Sequence, residues 1–321
     1  LFLSTGKKIS IYSVLKAGAQ VGITLEQGVG QFIDTSANYK SYFFADNDLV
    51  STTGSFIYSI DSSNENDIAG YSVIIDSSKT LADIWRATVL RASQNTEWSF
   101  RFDLNQNWLS DGSGNFVAND SSGAFKDGAL CVPTGASIVL NLVGGNKIDR
   151  GLTGKSAVNN GSVIIVEGKL LIKGTGTITG GNTTGNGGGI SVGSGATLVM
   201  QGTEIKIINN HADGLGGGVY LAKSGTLNGK IIISQNTVGA NNKAGNLYAT
   251  DGITVGNLSG SQIGISATDS CVFTHGLKAS EVADVLAVFS SDTESQVVGI
   301  SGGEGYIGTK TEEPEGAFTE I

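Results

Sequence analysis

Few side chains in this 321-residue sequence have the types and spacing that catalysis or ligand binding needs. Acid–base chemistry on a glycan takes two carboxylates across one cleft, often beside an arginine or lysine, and calcium takes several oxygens from one loop. Between residues 152 and 250 the acidic residues are Glu167, Glu204 and Asp213, and there is no arginine. Glu167 and Glu204 are 37 residues apart. That spacing does not fit the repeat described below, so the two are expected on different faces, without a paired-carboxylate site. Arg101, Asp103, Asp149 and Arg150 form a denser charged set, expected to make surface ion pairs.

Asp103-Leu104-Asn105-Gln106-Asn107 opens like a calcium loop, but Trp108 stands where the loop wants glycine and Gly114 where it wants a bidentate glutamate. A strand entering the turn Asp111-Gly112-Ser113-Gly114 accounts for it better. His211 and His275 are the only histidines, and with Cys131 and Cys271 far apart no metal cluster assembles. Both cysteines are expected as buried thiols outside any disulfide. Gly187–Gly189 lacks the helix and Lys-Ser/Thr of a phosphate loop. Trp85, Trp98 and Trp108 are expected in a cap core, with sugar stacking as the alternative. No catalytic, cofactor-binding or metal-binding residue is assigned, and no cofactor is expected.

The elements that would position these residues follow from a short repeat. Gly187-Gly188-Gly189-Ile190-Ser191-Val192 returns as Gly216-Gly217-Gly218-Val219-Tyr220-Leu221 after 29 residues, and in decayed form as Gly245-Asn246-Leu247-Tyr248, with Leu247 28 residues beyond Val219. A fixed short period means stacked units, none of which buries its apolar face alone. Short β-branched runs lie between Gly, Asn, Ser and Thr: Val163–Val166, Leu170–Ile172, Leu198–Met200, Ile205–Ile208 and Ile231–Ile233. Several such runs per repeat fit one turn of a parallel β-helix, not a helical repeat. Asn182, Asn210 and Asn236, at steps of 28 and 26, are expected to stack as an amide ladder at the strand spacing of ~4.8 Å.

Leu81, Ile84, Trp85, Thr88, Val89 and Ala92 share one helical face, and Thr80 with Asp83 makes a capping box. Such a helix would close the open first coil. A longer repeat is also present. Gly18-Ala19-Gln20-Val21-Gly22-Ile23 matches Gly260-Ser261-Gln262-Ile263-Gly264-Ile265 at an offset of 242, and Leu1-Phe2-Leu3 matches Leu247-Tyr248-Ala249.

These motifs resemble those of bacterial right-handed parallel β-helix surface proteins. The resemblance rests on Gly174–Asn182, Gly187–Val192, Ser194–Leu198 and Ile138–Arg150, and covers roughly residues 80–308. It implies an all-β, right-handed parallel β-helix (solenoid) with a short N-terminal capping helix and small β caps, in large and often adhesin-like proteins with tandem modules.

The expected organisation is as follows. Residues 1–62 are the last coil and cap of a preceding module. Residues 63–128 are the N-terminal cap, with a helix about 80–93 and a strand about 98–104. The β-helix spans 129–268, the C-terminal cap 269–308 and a linker 309–321. The chain opens inside a strand-like pattern and is read as a fragment of something longer.

The net charge of −9 disfavours nucleic acid as a partner, and no run reaches the ~18 apolar residues of a membrane span. Glycine at 48 residues with proline at 2 excludes collagen, and 39% apolar content argues against disorder. The expected function is a non-catalytic structural and adhesive module at the bacterial cell surface or secreted. Its expected partners are host or environmental glycans or proteins and neighbouring modules of the same chain. The alternative is a carbohydrate-active β-helix, as a lyase, hydrolase or glycan binder.

Overall fold

The computed structural model describes residues 80–310, apart from 95, 97–98, 118–119, 158–159 and 268–269, together with the backbone of the strands before residue 80. Trp98 and the tail from 311 onward lie outside the described residues. The fold is a β-solenoid of about five turns, with parallel stacked strands, an N-terminal helix and small extra sheets.

Three columns of strands form the coils. The first stacks Phe100–Leu104, Ser137–Leu142, Lys169–Gly174, Thr197–Gly202, Gly225–Gly229 and Ile253–Val255, all parallel. The second puts Trp108, Ile148, Ile178, Ile207, Ile233, Ile263 and Phe289 in one register line, and all are buried. The third aligns Leu130, Ile164, Ile190, Val219 and Leu247. Inward residues alternate with outward ones, as period-two strands require. A small fourth sheet pairs Asn182–Thr183, His211–Ala212 and Thr237–Val238 in parallel, and Lys243–Ala244 closes it antiparallel.

The triple glycines sit where the fourth sheet returns to the third column. Gly187 and Gly216 hold φ of 74° and 60°, a left-handed backbone that side chains resist. Gly188 carries a different constraint. A Cβ there would run into the carbonyl oxygens of His211 and Gly217 on the next coil. Glycine at this corner therefore serves both the turn and the close approach of successive coils.

The helix α1 (Leu81–Gln94) buries Leu81, Ile84, Trp85, Thr88, Val89 and Ala92 over the first coil. Its N-terminus is a reciprocal cap: the Asp83 amide donates to Thr80 Oγ1 at 3.2 Å and the Thr80 amide to Asp83 Oδ2 at 3.1 Å. Trp85 is fully buried, meets Phe102 edge-on at 5.3 Å, and donates from Nε1 to the Ala124 carbonyl at 2.7 Å. Trp108 is buried in the same cluster, so neither tryptophan offers a face to a sugar.

The far end is closed by Cys271–Val272, the helix α2 (Val282–Val288) and the antiparallel pair Gln296–Ser301 with Glu304–Thr309. The N-terminal strands repeat part of this order. Val21–Leu25 lies parallel between Phe2–Leu3 and Phe43–Ala45, with Phe2 opposite Thr24 and Val21 opposite Phe43. Near the C-terminus, Gln262–Ile265 pairs with Leu247–Ala249 and Phe289–Ser291, with Leu247 opposite Ile265 and Ile263 opposite Phe289. Ser51 then pairs antiparallel with Gly54 in one copy and Ser301 with Glu304 in the other.

Candidate functional site

The most developed polar feature lies at the glycine corner. A column of side-chain amides runs along the stack inside it. The Asn210 amide N–H and Nδ2 both donate to Asn236 Oδ1 at 3.0 Å. Those of Asn236 donate to Asn246 Oδ1 at 2.9 and 3.0 Å. Those of Asn246 donate to the Asp292 carboxylate at 2.6 and 2.5 Å. At the other end the Gly181 N–H donates to Asn210 Oδ1 at 3.0 Å. Every bond points the same way, so a carboxylate that only accepts is the natural terminus.

The glycines make room for this column. A Cβ on Gly218 would lie 2.6 Å from Asn236 Nδ2, and one on Gly189 3.0 Å from Asn210 Nδ2. The expected ladder is corrected by one residue at its start. Asn182 pairs in register with His211 and Thr237, so the rung above Asn210 is Gly181. Asn246 and Asp292, absent from the expected ladder, complete it.

Displaced from the column, Asn182 is 5% exposed and donates from Nδ2 to the Lys155 carbonyl at 2.5 Å. Its Oδ1 is buried and meets no donor among the described residues. Around it opens a groove of about 560 Å³, lined by Lys155, Asn182, Asn209, His211, Gln235, Asn242 and their neighbours. His211 is held on both sides: Nδ1 meets Thr237 Oγ1 at 2.9 Å and Nε2 meets Asp213 Oδ1 at 3.2 Å. A hydroxyl, an imidazole and a carboxylate thus form one relay on the groove wall, a geometry that moves protons in hydrolases.

The carboxylates of the coil body do not converge. Glu167 is paired with Lys126 at 2.5 Å, and Glu204 with Lys206 and Lys230 at 2.5 and 2.6 Å. The Lys206 hydrogen bond, then that of Lys230, pulls the Glu204 carboxyl down to about 2. A group so firmly ionised is a poor general acid at neutral pH. Glu167 follows the third-column strand Ile164–Val166, whereas Glu204 lies in the long strand Thr197–Ile208, so they occupy different corners.

Of the charged set near the first coil, Arg101 pairs with Asp103 at 2.7 Å and Lys147 with Asp149 at 2.9 Å. Arg150 corrects the expectation of a surface ion pair: it is 1% exposed. It donates to the carbonyls of Gly114 at 2.8 Å and Asn160 at 2.7 Å, and to those of Ser162 and Asp127. Burial lowers its pKa to about 10, with Asp127 opposing, so it stays charged and clamps the loops around the first coil. Asp111 accepts from the amides of Ser113 and Asn115 within its own turn, as the turn reading of that segment requires.

Cys131 is buried, and burial pushes its thiol up to about 12, which makes it inert. Cys271 is exposed, against expectation, because it opens a short cap strand outside the coil interior. Neither forms a disulfide. His275 meets the Asp251 carbonyl in the C-terminal cap, well away from His211. Among the described residues no three His, Cys, Asp or Glu side chains converge on a metal position, and no helix is long and apolar enough to cross a membrane.

Comparison of the chain with protein-family models, with curated proteins and with solved structures gave no match.

Proposed function

We propose that this chain is a structural and adhesive module of a large bacterial cell-surface or secreted protein, of the right-handed parallel β-helix kind. The observation that carries the reading is the state of the coil-body carboxylates. Glu167 and Glu204 are each neutralised by lysine at separate corners, and Asp213 is committed to His211. Nothing there resembles the two facing carboxyl groups, ~5–10 Å apart, of a glycosidase. The strand order shared by residues 2–51 and 247–304 supports a tandem arrangement of modules. A stacked solenoid is a stiff spacer that holds its corners at fixed intervals.

A second reading, a carbohydrate-active solenoid, has the Thr237–His211–Asp213 relay in its favour. Incubating the purified chain with a panel of polysaccharides and counting released reducing ends separates the two. The structural reading expects no release above the buffer control. Release that disappears in His211→Ala would replace it with the hydrolytic one.

A further inference from the structure

We infer that the corner groove is a binding site for a neutral, polyhydroxylated ligand: a short glycan segment. The inference rests on the adhesive reading above and names the surface and the ligand chemistry.

Three observations meet in the groove. The first is an unmet polar atom. Asn182 lines the groove, and its Oδ1 is buried and meets no donor among the described residues, while the amide oxygens of Asn210, Asn236 and Asn246 each accept at least one bond. A buried acceptor left open costs ~1–3 kcal/mol unless something outside the chain satisfies it.

The second is backbone conformation. Among the described residues five other than glycine have positive φ: Asp127, Asn160, Asn209, Gln235 and Asn242. Three of them, Asn209, Gln235 and Asn242, line this one groove. Glycine, as at Gly180 on the preceding coil, would meet the same turn without strain. Asparagine also tolerates this backbone, so the turn admits these residues, and it is Gln235 at φ 59° that the turn does not favour. All three side chains are exposed, and their amide groups bond no described group; their hydrogen bonds run through the backbone, as from Thr153 Oγ1 to the Asn209 carbonyl at 3.1 Å.

The third is charge. The groove's cation and anion are already engaged, Lys155 Nζ on the Gly112 carbonyl at 3.0 Å and Asp213 on His211. What remains free is amide, a group that donates and accepts as sugar hydroxyls do. Phosphate or uronate would want an excess of cations, whereas among the described residues Lys155 is the only lysine or arginine of the lining and Asp213 offsets it. The volume of about 560 Å³ falls within the ~300–1,000 Å³ of small-molecule sites. The second groove, of about 690 Å³, is built differently, with Tyr248, Lys243, Asp292 and Glu294 in its wall, and serves as an internal control.

The test uses the whole chain and defined probes: maltotriose, cellotriose, chitotriose, mannotriose and, as an acidic control, tri-galacturonate. Binding is read by calorimetry and by backbone amide shifts. Asn209→Gly with Gln235→Gly removes two groove amides while keeping a residue suited to left-handed backbone, so the fold is retained and is checked by thermal unfolding. The expected result is that at least one neutral trisaccharide binds, shifts amides around 182, 209–213 and 235–242, and binds the double variant ~10-fold more weakly or worse, a loss of about 1.4 kcal/mol. Tyr248→Ala leaves that binding unchanged. The inference is overturned if no neutral probe binds, if only tri-galacturonate binds, if the double variant binds as well as the parent, or if Tyr248→Ala abolishes binding. Each of those outcomes removes this site and leaves the structural reading standing, whereas reducing-end release in the preceding assay removes that reading itself.

Discussion

Two columns run side by side through the same coils, and they hold the stack by different physics. In the isoleucine column, Ile148, Ile178, Ile207, Ile233 and Ile263 are each buried on neighbours of their own kind. Its attraction is non-directional and scales with area, so a rung can be thinned and the rest still pack. In the amide column, Asn210, Asn236, Asn246 and Asp292 are bonded head to tail. Each rung there satisfies the next, so the column needs a terminus and cannot lose a member without exposing the others. The apolar column makes the solenoid. The amide column fixes the corner on whose outer side the groove opens.

The largest expected effect comes from cutting the amide column in its middle. Asn236→Ala strands the main-chain amide of Asn210 and the Ile207 carbonyl that Asn236 Nδ2 now serves at 2.8 Å, while Asn246 Oδ1 keeps only the main-chain amide of residue 236. At ~1–3 kcal/mol for each unmet buried group, about 4 kcal/mol should be lost in urea unfolding. Ile207→Ala, the matched cut in the apolar column, should cost about 3 kcal/mol, and Ile207→Val about 1. If Asn236→Ala costs no more than Ile207→Val, the amide column is ornamental.

Gly218→Ala sharpens the same contrast from the opposite wall. Its Cβ would crowd Asn236 Nδ2 at 2.6 Å and the Asn246 carbonyl at 2.8 Å. Overpacking of this kind should cost about 2 kcal/mol, and combining it with Asn236→Ala should cost less than the two added, because the same column is broken once.

The smallest effect is acid sensitivity at the polar end of the stack. The Glu304 carboxyl is held below its ordinary range chiefly by the Thr274 hydroxyl, then by the Leu277 and Gly276 amides and His275, against a desolvation that opposes them. A folded-state pKa below the unfolded one means stability that is present above the unfolded carboxyl range and lost as pH falls through the folded value. The thermal stability gap between the parent and Glu304→Gln should therefore be widest near neutral pH and close as pH falls below the usual carboxylate range. A gap that is constant with pH would show that the carboxylate charge contributes nothing.

The apolar column was the easier of the two to read from sequence. Its period is written in β-branched runs separated by turn residues, and the 28–29-residue step of the glycine triplets sets the coil length. The helix was legible for a similar reason, because Leu81, Ile84, Trp85, Thr88, Val89 and Ala92 keep one face and Thr80 with Asp83 marks its start.

The amide column was legible only in part. Asn182 occupies the residue after the rung position: the coils pair at an offset of 29 on both sides of this corner, so an asparagine step of 28 puts Asn182 opposite His211 and Gly181 opposite Asn210. Asn246 follows Asn236 by only ten residues, because the coil there shortens to a tight antiparallel return, so no fixed period points to it. Asp292 comes from the cap, 46 residues further on. Arg150 was misplaced because composition gives no sign that four carbonyls from separate loops would converge around a guanidinium. The groove was invisible in sequence: its amides belong to three successive coils and look like ordinary turn residues until the coils stack.

The corner is held by a directional column that ends on Asp292. Native-state hydrogen exchange on the parent and on Asp292→Ala tests it most directly. The amides of Asn246, Asn236, Asn210 and Gly181 all donate into the column's side-chain oxygens. Removing the terminus should unprotect them in graded order, Asn246 most and Gly181 least, while the strand amides of Ile233, Ile207 and Ile178 keep their protection. Equal loss in both columns, or no loss at Asn246 and Asn236, would contradict the account.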